Sequence, residues 1–240
     1  SNGKPYWERN PNPSNDNYGN RQLVITDKSM VVNAASFDYD EYIRYPFVFS
    51  PEKLKQDYIQ MRQALEEIHP ALYDYTSKSI MDSLFETGIR KIDFDMNLNE
   101  FYKICSRILA QIGCGHTKLW IPEVYWNTAP DRLFPLKMLF SQNKVFTSGF
   151  YTDSELIPLG SEIISINDRP VKAIIDSLVS ISSSDGFIQA FRLKSAERNF
   201  SRKYALYFGF PEKFRITYLL PDQSQVMKAE LLPASLEQVK

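Results

Sequence analysis

The residues with the clearest chemical potential are Ile112-Gly113-Cys114-Gly115-His116-Thr117. His116 is one of only two histidines in 240 residues. An imidazole changes charge near neutrality, so it can take a proton from a hydroxyl and return it to a leaving group. Glycines on its N-terminal side let the backbone bend sharply and present the ring on a loop. A base needs a nucleophile, and the chain offers none of recognisable form. No serine stands in a Gly-x-Ser-x-Gly elbow; Ser161 and Ser165 read as turn and strand residues. Cys114 shares a face with His116 if the segment is extended, but side chains two apart normally diverge too far for a good hydrogen bond. Spacing alone also leaves open that His116 caps the preceding helix through a ring N–H.

The remaining candidates are weaker. His69 precedes Pro70 at a helix end and reads as a packed or capping side chain. Cys105 and Cys114 read as buried or half-buried thiols. Two cysteines and one nearby histidine are too few ligands for structural zinc, so no metal or cofactor is expected. Lys and Arg total 28 against 29 Asp and Glu, giving a net charge of -1. That balance argues against a nucleic-acid partner. Hydrophobic residues make up 43% and aromatics 14%, enough for a sizeable core. No apolar run approaches the roughly 20 residues of a membrane span, and no signal peptide is visible. The chain is therefore expected to be cytoplasmic, or to have lost a targeting segment.

The elements that must position His116 follow from periodicity. Residues 1 to about 22 are rich in Asn and Pro and read as a tail; residues 23–32 suit a short hairpin. Ser50-Pro51-Glu52 opens a helix, with Leu54, Tyr58, Met61, Leu65 and Ile68 on its apolar face and Pro70 closing it. A second helix carries Ile80, Leu84, Phe85, Ile89 and Ile92. Asn97 and Glu100 have capping-box spacing for a third. Its stripe runs Phe101, Ile104, Cys105, Ile108, Leu109 and Ile112, with Gly113 as the left-handed cap. Residues 117–121 alternate like a strand. Beyond them, 134–140 and 145–151 read as strands, and 157–171 as a turn, an apolar strand, an Asn-Asp turn and a helix start. Residues 180–186 form a polar loop and 187–208 a helical stretch. Its Arg192, Lys194, Arg198, Arg202 and Lys203 read chiefly as a solvated face. A hairpin spans 214–232.

Two segments carry a resemblance. Pro158 to Val171 resembles the PDZ pattern in which a Gly-Asp-Glu-Ile-Leu-Ser-Ile-Asn-Gly-like run precedes Pro-Val and a helix. The helical region with His69-Pro70-Ala71-Leu72-Tyr73 and Gly-Cys-Gly-His-Thr resembles the N-terminal part of the tail-specific, or C-terminal processing, serine peptidases. It looks most like the branch of the tricorn core protease and the chlamydial protease-like factor. The resemblance covers roughly residues 50 to 235.

It implies an α+β fold: a tail with a possible hairpin over 1–49, a three-helix domain over 50–127, and a PDZ-like β domain with a helical insertion over 128–236. It implies that His116 is the general base of a serine endopeptidase. The nucleophile and acidic partner would lie in a later catalytic domain, so this chain alone would be inactive. In the family's other branch a serine-lysine pair does the chemistry, and His116 would be structural. The implied partners are a protein or peptide substrate and the chain's own catalytic domain. The implied location is extracytoplasmic, in the periplasm or cell envelope, with the tail as a tether. A second reading is a non-enzymatic PDZ-like peptide-binding or scaffolding protein. Against peptide capture stand the missing Gly-Leu-Gly-Phe carboxylate loop and the helical interruption.

Overall fold

The computed structural model describes residues 48–142, 144–152, 156–221 and 225–240, which belong to one compact unit. The tail and the hairpin expected at 23–32 lie outside the described residues. The fold is α+β.

The three expected helices form, although the second turns Ile80 out to solvent and buries Met81 alongside Phe85. α1 (Pro51–Ile68) starts at Ser50, whose carbonyl accepts from Leu54 N at 3.1 Å, and ends at His69, where Pro70 blocks continuation. α2 spans Lys78–Arg90 and α3 Leu98–Leu109. A short β1 (Val48–Phe49) pairs antiparallel with β2 (Met96–Asn97) ahead of α3. The capping box forms as expected: Asn97 Oδ1 accepts from Glu100 N at 3.0 Å, and Asn97 N donates to Glu100 Oε2 at 2.9 Å. Leu54, Tyr58, Met81, Phe85, Cys105 and Ile108 meet in one core cluster.

α3 buries a second face that the apolar stripe does not announce. Tyr102 packs with Tyr125, Ile181 and Leu206. Asn99 is buried beside it, its Nδ2 donating to the Ala205 carbonyl at 3.1 Å while the Tyr125 hydroxyl donates to its Oδ1. Phe101 and Ile104 are only half-buried. α3 is therefore held from two sides, by α1 and α2 and by the C-terminal half.

Residues 117–121 do not form a strand. Their alternation survives, since Leu119 and Ile121 pack against the Tyr102 cluster while Lys118 and Trp120 face out. Among the described residues no strand lies alongside to complete a ladder. Pro122 then starts a short helix, α4 (Glu123–Thr128), not expected from the sequence.

The C-terminal half is an antiparallel sheet with helices against it. Its strands are β3 (Leu136–Ser141), β4 (Lys144–Phe150), β5 (Glu162–Ile166), β6 (Arg169–Pro170), β7 (Phe214–Leu219) and β8 (Val226–Leu231). They are ordered β3-β4-β5-β7-β8, with β6 paired to β5. The β5–β6 turn has positive φ at both Asn167 (50°) and Asp168 (64°), the type I′ geometry those residue types tolerate. α5 (Val171–Ser180) follows. The expected helix over 187–208 is two helices, α6 (Gln189–Arg198) and α7 (Phe200–Phe208), meeting at Asn199. Phe134, Val145, Ile163, Ile174, Phe200 and Phe214 centre this core. A last turn, α8 (Leu236–Val239), ends the chain. No helix among the described residues is long and apolar enough to cross a membrane.

Candidate active site

The loop after α3 is shaped by its exit geometry. Regular helix stops at Leu109, earlier than the sequence suggests. Gln111 N then bonds to Ile108 O at 2.9 Å and Ile112 N to Leu109 O at 3.2 Å, a tighter winding. Gly113 sits at φ 74°, and a Cβ there would lie 2.9 Å from the Tyr75 side chain, so both backbone and neighbour require glycine. Thr117 N bonds to Cys114 O at 3.2 Å. That closes a four-residue turn with His116 near its tip.

The turn is fastened to a second loop, residues 183–186, by three hydrogen bonds. Gly186 N donates to Gly113 O at 2.8 Å, Gly115 N to Asp185 Oδ1 at 2.8 Å, and Ser183 Oγ to Thr117 O at 2.7 Å. The Asp185 carboxylate can come this close because residue 115 has no side chain; a Cβ would lie 3.1 Å from Oδ1.

Arg192 locks both loops to the helix. It is buried, correcting the expectation that the basic residues of 187–208 form a solvated face. Its Nη2 donates to the Ala110 carbonyl at 2.6 Å and its Nε to Ser184 Oγ at 3.0 Å. The cation thus meets the negative end of the α3 dipole, although burial pulls its pKa down. Thr76 Oγ1 donates to the next carbonyl, Gln111, at 2.6 Å.

His69 reaches the same turn. Its Nδ1 accepts from Ala71 N at 3.2 Å, which leaves the hydrogen on Nε2 to be donated to Thr117 Oγ1 at 2.9 Å. This is more than the packed or capping role its sequence position suggests.

His116 itself is exposed and has no hydrogen-bond partner among the described residues. Its ring nitrogen, the Cys114 sulfur and an Asp185 oxygen lie within 4.8 Å of one another. An open imidazole on a fastened loop has a lone pair available to an incoming hydroxyl. Cys114 is half-buried and Asp185 exposed.

A separate concavity of about 350 Å³ is lined by Tyr102, Leu119, Trp126, Arg202 and Lys203, among others, and not by His116. Burial pushes the Lys203 ammonium down to about 8. Its Nζ donates to Ser195 Oγ at 3.1 Å and to Ser182 Oγ. Ser182 is buried, and its own hydroxyl is held by the Leu178 carbonyl at 2.8 Å, so no substrate reaches it.

No family model and no curated protein matches the sequence. The fold is similar to that of CPAF. A serine-to-alanine mutant of CPAF matches with a TM-score of 0.54 at 12% identity, over 76% of this chain and 34% of that one. Mature CPAF, at 13% identity, gives 0.47, and mature CPAF complexed with lactacystin, at 12%, gives 0.48, both over the same shares. The chain therefore spans about a third of the CPAF chain. At such identity the likeness is one of fold.

Of the residues around this candidate loop, the sequence singled out His116 and its glycines but not Asp185, Ser183 or Arg192. The first two lie in a run of serines that looks like ordinary linker. Arg192 carried a faint signal, an arginine four residues before the apolar Ala196 on the inward face of α6.

Proposed function

We propose that this chain is the N-terminal portion of a serine endopeptidase of the tail-specific, chlamydial protease-like kind, with His116 as general base. The observation that carries the reading is the exposed imidazole, without a hydrogen-bond partner among the described residues, on a loop fastened at three points, within a CPAF-like fold of which the chain spans a third. In the complete protein a serine supplied from another region would approach His116. The imidazole would accept the hydroxyl proton as the oxygen attacks a peptide carbonyl, then return it to the departing amine. The region over 128–236 would act as a PDZ-like domain that steers the substrate, and the protein would work outside the cytoplasm. The chain by itself would not turn over substrate, because in this reading the nucleophilic serine comes from another region of the protein.

The test is proteolysis of an unstructured protein by the full-length protein and its His116→Gln form. Loss of roughly 100-fold or more in kcat with folding intact supports the role of His116. Unchanged turnover would remove it. Turnover by the 240-residue chain alone, blocked by serine-directed reagents, would show the chemistry to be elsewhere.

A second reading, a peptide-binding or scaffolding module without catalysis, draws on one feature: among the described residues β8 lies at the sheet edge with only β7 beside it, where an added strand could pair.

A further inference from the structure

We infer that Cys114, His116 and Asp185 form a binding site for a zinc-class divalent ion. The sequence presents only a Cys-x-His pair, too few ligands for such an ion. The fold adds the third from 71 positions beyond Cys114, through the hydrogen bonds that fasten residues 183–186 to the turn.

The donor set decides the class of ion. A thiolate, an imidazole and a carboxylate together suit zinc or its neighbours in the first transition row, while calcium and magnesium prefer oxygen alone. The three ligand atoms lie within 4.8 Å of one another. Tetrahedral zinc, with bonds of about 2.0–2.3 Å, places ligand atoms roughly 3.3–3.8 Å apart. Closing the site therefore needs about 1 Å of side-chain movement, and His116 and Asp185 are exposed and able to make it.

The surroundings suit the ion. Asp185 Oδ1 accepts from Gly115 N at 2.8 Å, which orients the carboxylate and leaves its other oxygen for the metal. His116 has no competing hydrogen bond among the described residues. Three protein ligands leave a fourth position open to water.

Occupancy has a consequence that rests on the proposed function. A lone pair given to a metal cannot accept a proton. The bound ion and a proton-accepting His116 are thus exclusive states, and zinc would hold the peptidase inactive.

The test is a titration of the 240-residue chain with Co²⁺, in metal-free buffer without thiols, followed by displacement with Zn²⁺. One equivalent should produce a thiolate-to-cobalt charge-transfer band in the near ultraviolet, which zinc abolishes. Cys114→Ser should remove the band, and Asp185→Asn should weaken binding by roughly tenfold or more. Cys105 remains in every variant as an internal control, being buried. Should Cys114→Ser fold poorly, protection of Cys114 from alkylation by one equivalent of zinc in the unmodified chain gives the same answer. A band that survives Cys114→Ser, binding indifferent to Asp185→Asn, or alkylation unaffected by zinc would overturn the site. The peptidase reading is judged separately, by the His116 dependence of proteolysis in the full-length protein. His116-dependent proteolysis insensitive to saturating zinc would overturn the exclusion and leave that reading standing.

Discussion

His69 and Thr117, 48 residues apart, are joined side chain to side chain at 2.9 Å, so the end of α1 holds the residue that follows His116. Because His69 Nδ1 is occupied by Ala71 N, the imidazole must bond through Nε2, and its tautomer is set. A neutral hydrogen bond of this kind is worth about 1 kcal/mol net. His69→Ala, Thr117→Val and the double variant should therefore show a coupling of about 0.5–1.5 kcal/mol in denaturant unfolding. A coupling near zero would mean that water serves the Thr117 hydroxyl as well as His69 does.

Arg192 should matter more than any other single charged side chain near the loop. Its guanidinium serves two acceptors on different elements, the Ala110 carbonyl and the Ser184 hydroxyl. Arg192→Met keeps much of the apolar stem but leaves both acceptors without that donor. We expect a loss of about 2–4 kcal/mol in urea unfolding. Arg192→Lys should recover less than half of it, because an ammonium lacks the planar fork that spans both sites. Wild-type stability in Arg192→Met would show that the carbonyl at the end of α3 finds water instead.

Much of this architecture was legible where local rules and burial agree. The Asn97–Glu100 box, the Pro51 start, the stop before Pro70 and the Asn167-Asp168 turn all depend on residues close in sequence, and all formed. The errors came where a distant partner decides. Residues 117–121 have strand alternation but no neighbour to pair with among the described residues, and their apolar side chains serve helix packing instead. Asn99 and Arg192 look like surface residues until the carbonyls of Ala205 and Ala110 appear beside them. The same holds at the site. His116 was visible from its glycines, whereas Asp185 became relevant only when Gly186 N met Gly113 O.

Lys203 predicts a pH dependence of stability. Its folded-state pKa is lowered from 10.5 to about 8, first by burial and then by the nearby charge of Lys118. Between about pH 8 and 10.5 the unfolded chain holds this proton and the folded chain does not, so stability should rise with pH across that window. Below pH 8 both states are protonated and the full cost of the buried charge is present. Buried tyrosines such as Tyr58 and Tyr102, whose pKa values are raised, act in the opposite sense at higher pH. The clean measurement is therefore the difference between wild type and Lys203→Met from pH 7.5 to 9.5, a range set around that lowered pKa. That difference should shift steadily toward the wild type as pH rises. A flat difference would mean the ammonium stays well solvated.

The two cysteines should report on loop and core separately. Cys105 is 1% exposed, and burial pushes its thiol up to about 12, which suppresses the reactive thiolate. Cys114 is half-buried on the loop surface. With a colorimetric thiol reagent the folded chain should therefore titrate one cysteine promptly, and the second only when denaturant exposes the core. Gly113→Ala sharpens the test. It forces a side chain into φ 74° and places its Cβ 2.9 Å from Tyr75, so the turn should loosen while the core around Cys105 persists. Cys114 should then react faster than in the wild type, with Cys105 still protected. If both thiols became reactive together in Gly113→Ala, the turn and the helical core would be one cooperative unit, and the loop could not adjust around a ligand without unfolding its support.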